Sequence, residues 1–175
     1  LVKARSDIRT VHYVAPTVWA WRAGRAAKMA QHIDHVLALF PFEPPLMQAA
    51  GMRCDFVGHP VVSEPVATQA EADAFRMRYG LGRKPLLMVL PGSRRGEVAR
   101  LGERFGAAVK LLKARNPDMQ TVVPAAGPVA QAVLDLTSTW PDRLVLDPRE
   151  GSYESAMAEK RSAFAAADIA LAASG

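Results

Sequence analysis

Short apolar runs alternate along this chain with longer segments whose apolar positions recur every three or four residues. The short runs predict strands over Thr10–Val14, His35–Leu39, Cys54–Val57, Leu86–Leu90, Gln120–Val123, Arg143–Leu146 and Asp168–Ala172. The longer segments predict helices near Trp19–Gln31, Pro44–Ala50, Gln69–Tyr79, Glu97–Arg115, Val129–Ser138 and Tyr153–Ala165. A strand followed by a helix, repeated, is the rhythm of right-handed βαβ units around a parallel sheet, so the fold class is α/β.

Local chemistry fixes several boundaries. Thr68-Gln69-Ala70-Glu71 has the spacing of a capping box, and Gly80 and Gly82 stop the helix that it starts. Pro44 suits the first turn of a short helix that Gly51 ends. Val98, Leu101, Phe105, Ala108 and Leu112 form one stripe facing a core, and Asn116-Pro117 terminates that helix. Between two strand-rich blocks lies a stretch poor in apolar residues, from His59-Pro60 to Lys84-Pro85. The chain therefore divides into a first α/β block over 1–60, an interdomain connector over 61–85 and a second block over 86–175. Both blocks read as incomplete. The first lacks an opening βα turn, the second stops straight after a strand, and residue 1 is not Met, which points to a piece of a longer protein.

Composition narrows the class. Half of the 175 residues are apolar, too many for a disordered chain. No run approaches the roughly 20 apolar residues of a membrane span, and no apolar h-region follows Leu1-Val-Lys-Ala-Arg5. A single cysteine, Cys54, excludes an internal disulfide and a cysteine-based zinc site. The net charge of +5 favours an anionic partner, whether phosphate, nucleic acid or an acidic membrane.

The most informative segment is Leu86-Leu-Met-Val-Leu-Pro-Gly-Ser-Arg-Arg-Gly-Glu97, an apolar strand running through a small-residue turn into a long helix. Gly92 and Ser93 let backbone approach a ligand, the helix N-terminus offers N–H groups and a positive dipole, and Arg94 or Arg95 adds a fork for diphosphate oxygens. The same residues suit an ordinary strand-to-helix turn with Ser93 as N-cap and a solvated arginine pair. Neither a P-loop nor a G-x-G-x-x-G fingerprint is present, which disfavours NTPase and NAD readings. In a doubly wound sheet the fourth strand of the second block would lie beside its first. Ser174 and Gly175 would then share a crevice with the Pro91–Arg94 turn, at the switch point where ligands bind.

Trp19-Ala-Trp21-Arg22, followed by Arg25 and Lys28, interleaves aromatic and basic residues as an interfacial surface does, although core-edge tryptophans beside a solvated basic helix face explain it as well. His32 and His35 lack partners at ligand spacing, so no metal site is expected. His59, in the Gly58-His59-Pro60 turn after a strand, is a candidate cleft residue or a hydrogen-bonded hinge. His12 sits within a strand. No Gly-x-Ser-x-Gly elbow supports a hydrolase.

Val11-His-Tyr-Val-Ala-Pro-Thr-Val-Trp-Ala-Trp-Arg22 resembles the HYVSPSVWAWR signature of the bacterial lipid-A-disaccharide synthase family. Leu39-Phe-Pro-Phe-Glu43, Phe56-Val-Gly-His-Pro60, Leu90-Pro-Gly-Ser-Arg94 with Glu97, and Leu171-Ala-Ala-Ser-Gly175 follow that family's blocks in order. Departures are small: Ala15 and Thr17 each replace a common Ser. The resemblance implies a GT-B glycosyltransferase with two Rossmann-like parallel-sheet domains. The first block would be the later half of the acceptor-side domain, and the second the first half of the UDP-side domain. It implies condensation of UDP-2,3-diacylglucosamine with 2,3-diacylglucosamine 1-phosphate to a β-1,6 disaccharide and UDP, in the cytoplasm on the inner-membrane surface. No cofactor, metal or nucleic-acid partner is expected. Carried over, Gly92, Ser93, Arg94, Ser174 and Gly175 would bind UDP, with Arg94 stabilising the leaving group. Trp19, Trp21, Arg22, Arg25 and Lys28 would form the membrane or acceptor surface, and the general base would lie outside this chain. A GT-B-like sugar-nucleotide epimerase and a non-catalytic, membrane-docking nucleotide module are the alternatives.

Overall fold

The structure, a computed structural model, describes every residue except 1, 4, 20, 21, 23, 174 and 175. The chain separates into two compact units, Leu1–Glu64 and Pro65–Gly175. In the first, strands β1 (Val11–Tyr13), β2 (His35–Ala38) and β3 (Arg53–Phe56) pair in parallel in the order β1-β2-β3. Helices α1 (Gly24–Ala30) and α2 (Glu43–Ala49) make the two crossovers. Alternate residues of β2, Val36 and Ala38, are buried, and they pack with Met47, Met52 and Cys54. Pro44 stands in the first turn of α2, and Gly51 follows its end at φ +87°, the left-handed conformation that closes a helix.

The second unit runs α3 (Gln69–Arg78), β4 (Leu86–Leu90), α4 (Arg95–Arg115), β5 (Gln120–Pro124), α5 (Ala130–Thr137), β6 (Arg143–Leu146), α6 (Tyr153–Ala166) and β7 (Ile169–Ala172). Its four strands are parallel in the order β6-β5-β4-β7. The fourth strand of this sheet thus lies beside the first, as the doubly wound pattern predicts. Leu87, Val89 and Val123 pack under Val98, Phe105, Val109 and Val133 of α4 and α5. Leu86, Met88 and Val122 pack on the other face against Ala72, Phe75, Ala163 and Ala166 of α3 and α6. Helices on both faces explain why β4 is a continuous apolar run instead of an alternating one.

Two expectations from the sequence are corrected. The first helix starts at Gly24 and not near Trp19, because Arg22 adopts φ +62°, outside the helical region. Residues 61–85 are not a detached connector. The break falls at 64/65, and α3, whose Thr68–Glu71 capping box forms as the spacing predicts, packs into the second unit. Arg76 locks it there. Its guanidinium donates to the Ala166, Gly82 and Lys84 carbonyls and pairs with Asp168 at 3.0 Å, while Asp168 also accepts from the Leu86 amide at 2.7 Å.

The predicted stripe on α4 is displaced by a fraction of a turn. Val98 and Phe105 are buried as expected, but Gly102, Gly106 and Val109 complete the buried face. A Cβ at Gly106 would stand 2.7 Å from Nε1 of the buried Trp140, so glycine sets how closely α4 approaches that ring.

Candidate functional site

The turn from β4 into α4 is held by a glutamate. Glu97, in the first helical turn, accepts from the Ser93 amide at 2.9 Å and the Arg94 amide at 3.2 Å through Oε2. Its Oε1 meets an Arg94 guanidinium nitrogen at 2.8 Å. The Ser93 amide and then the Arg94 side chain hold this carboxyl below the usual range. Gly92 makes the arrangement possible. It adopts φ +121°, and a Cβ there would fall 2.5 Å from Glu97 Cβ and 2.7 Å from Oε2. The expectation that these amides stand free for a ligand is therefore corrected: Glu97 already occupies those of Ser93 and Arg94. The N-cap is Arg94, not Ser93.

This corner opens onto a groove of about 470 Å³ at the C-terminal ends of β4, β5 and β7. Gly92, Ser93, Arg94 and Glu97 line one side; Pro124, Ala126, Ala172 and Ala173 lie along the strand ends; Lys160 and Phe164 of α6 contribute as well. The position is the switch point of the sheet, where α/β folds place their ligands. Ser174 and Gly175, expected here, lie outside the described residues. Sequence reasoning did not find Lys160 and Phe164. Their i, i+4 spacing on the helix that leads into β7 was the available signal. A larger depression of about 570 Å³ sits where the strands begin, beside Arg76 and Asp168, and those two groups are spent on each other.

In the first unit, Arg22, Arg25 and Lys28 surround an open depression of about 430 Å³, so the structure brings together the three predicted cations. Trp19 turns to a different set of neighbours. Its ring meets Phe42 edge-on at 4.9 Å and Phe40 at 6.3 Å, while Phe40 and Phe42 stack at 5.6 Å. All three rings remain 40–49% exposed, an aromatic ledge that the sequence reading missed beyond Trp19. Trp21 lies outside the described residues. His59 accepts from the Val61 amide at 3.1 Å and caps the 3₁₀ turn Pro60–Ser63, its ring 6.0 Å from that of Phe40. His35 pairs with Asp55 at 2.8 Å. His12, in β1, is exposed.

Beneath the aromatic ledge lies Glu43, only 1% exposed, whose Oε2 accepts from the Leu39 and Phe40 amides at 2.9 and 2.8 Å. Among the described residues, no helix is long and apolar enough to cross a membrane.

Comparison with known proteins adds an independent line. Residues 1–175 match the sequence profile of a family described as "Lipid-A-disaccharide synthetase". A lipid-A-disaccharide synthase of Ruegeria pomeroyi is 61% identical over all of this chain and 44% of its own length. That of Rhodospirillum centenum is 47% identical, again over all of this chain and 42% of its own length. One from Burkholderia lata is 39% identical over 87% of this chain and 39% of its own. The chain thus spans less than half the length of the curated relatives that it matches.

Proposed function

The chain belongs to the lipid-A-disaccharide synthetase family, and on that premise we propose that it is part of a glycosyltransferase of lipid A biosynthesis. In this reading the full-length protein condenses UDP-2,3-diacylglucosamine with 2,3-diacylglucosamine 1-phosphate, and the groove at the end of β4 takes the UDP moiety. The observation that carries the placement is the groove's position at the switch point, with an exposed arginine at the head of a 21-residue helix.

The chemistry follows from the charges. As the acceptor hydroxyl attacks the anomeric carbon, the bond to UDP breaks and negative charge grows on the diphosphate. Arg94, its guanidinium exposed beside Gly92 and Ser93, supplies the countercharge. A carboxylate in the part of the protein outside this chain takes the hydroxyl proton. No metal is required in this scheme, so turnover persists in excess EDTA.

Acylated substrates are held in a bilayer, which gives the aromatic ledge and the Arg22, Arg25 and Lys28 depression their proposed role as the acceptor and inner-membrane surface. Replacing those three cations by Gln is expected to weaken binding of the full-length protein to anionic vesicles, by up to about 1 kcal/mol per charge. Unchanged vesicle binding with a lowered melting temperature would make the segment structural.

The deciding experiment is product analysis with the full-length protein. A tetraacyl disaccharide 1-phosphate and UDP in equal amounts support the proposal. Epimerised sugar nucleotide, or UDP binding without turnover, would replace it with the epimerase or the non-catalytic module.

A further inference from the structure

The charges around the groove do not balance on the β4–α4 side alone. Arg94 is paired with Glu97 at 2.8 Å through one guanidinium nitrogen, so the carboxylate offsets part of the countercharge that Arg94 offers a diphosphate. Of the groove's charged residues, Lys160 is the third. Among the described residues no carboxylate lies within 4.0 Å of its ammonium. Its Nζ instead stands 5.9 Å from the centroid of the Phe164 ring, one helical turn along α6. A cation over a ring keeps its charge and its donors available while its position is restrained.

We propose that Lys160, steadied by Phe164, is a diphosphate-binding residue of the nucleotide groove, opposing the Gly92–Arg94 turn. The inference rests on the reading of this groove as the UDP site and deepens it. It adds to Arg94 of the glycine-containing turn a second positive charge, on α6, the helix leading into β7. A lysine suits that position. Its ammonium is a compact charge on a flexible stem, able to follow phosphate oxygens as they rearrange, where an arginine fork fixes one geometry. Phe164 is a positioning residue: it acts through Lys160.

Isothermal titration of the full-length protein with UDP, UMP and uridine tests this. UDP affinity should fall about tenfold in Lys160→Gln, the scale of losing one charged hydrogen bond. Lys160→Arg should recover most of that loss, and uridine should bind both variants as it binds wild type. Phe164→Leu should give an intermediate loss for UDP at an unchanged melting temperature. The wild type should also lose UDP affinity more steeply with added salt than Lys160→Gln does. UDP binding by Lys160→Gln equal to wild type would overturn the inference and leave the groove assignment standing. Absence of UDP binding by the wild type would overturn the groove assignment and this inference with it.

Discussion

At the end of β2 and again at the end of β4, a strand turns into a helix, and a glutamate in the first helical turn accepts from two amides of the intervening loop. The local hydrogen bonding is the same, but the surroundings differ. Glu43 is 1% exposed, and among the described residues no cation pairs with it. The Glu97 side chain is 25% exposed and shares its second oxygen with Arg94, itself 82% exposed. A buried carboxylate of the first kind holds its corner together, its own side chain closed off from solution. An open one of the second kind holds its corner while leaving a guanidinium at the rim of a groove. The same cap serves structure in one unit and a candidate site in the other, and accessibility decides which.

If that contrast is right, Arg94→Ala has the largest effect. We expect kcat/KM of the full-length protein to fall at least about a hundredfold, with the melting temperature unchanged. Arg94→Lys should also be impaired, since a point charge does not reproduce a bidentate fork. Near-normal turnover in either would remove the functional half of the comparison.

Glu43→Ala tests the structural half. It leaves the buried Leu39 amide and the part-buried Phe40 amide without their acceptor and should cost about 3 kcal/mol in urea unfolding. Glu97→Ala should shift the urea midpoint much less, because water replaces the lost acceptor. Equal losses would mean that exposure does not distinguish the corners. Gly92→Ala should follow at about 1–3 kcal/mol, from a Cβ driven against Glu97 at φ +121°.

The smallest effect is a pH dependence. Glu97 has a depressed pKa in the folded protein, so its contribution is present above the unfolded carboxylate value, about 4.3, and is lost as pH falls through the lower folded value. Asp34, Glu71, Asp142 and Asp147 are also depressed, Asp34 to about 2 by Lys3 and Thr10, so the wild-type curve alone does not isolate Glu97. The difference in melting temperature between wild type and Glu97→Ala should stay constant from pH 7 to about 5 and shrink below that. A constant difference down to pH 3 would show that the charge on Glu97 contributes nothing to its corner.

Much of this architecture was readable from the sequence. All seven predicted strands form; β4 and β5, buried along most of their length, are the apolar runs expected of central parallel strands. The placement of β7 beside β4 followed from the doubly wound pattern once those strands were counted. The turn at Gly92–Arg94 was legible for the same reason. What escaped depends on partners distant in sequence or on residues without a signal of their own. Gly102 and Gly106 carry no hydrophobic mark, yet they let α4 close on Leu136 and Trp140. Arg22 looks like a helix residue until its backbone conformation is known. Glu97 reads as a helix former, and only the fold shows that it fills the amides a ligand was expected to take. Lys160 and Phe164 reach the groove through the packing of α6, and their i, i+4 spacing alone does not say which way that helix faces.

The Arg76 clamp has a consequence for biosynthesis. Its bonds to the Ala166 carbonyl link residues 90 positions apart, and Asp168 lies two positions further on. During translation at about 5–20 residues per second, α3 leaves the ribosome several seconds before the groups that anchor it exist. Through that interval Phe75 lacks α6 to cover it. The second unit is therefore completed from its late end: the residue just before the strand whose tip borders the groove supplies the carboxylate that fastens α3. A nascent chain stalled before α6 would leave that apolar helix face partly exposed to chaperones, and release of the stall would bury it.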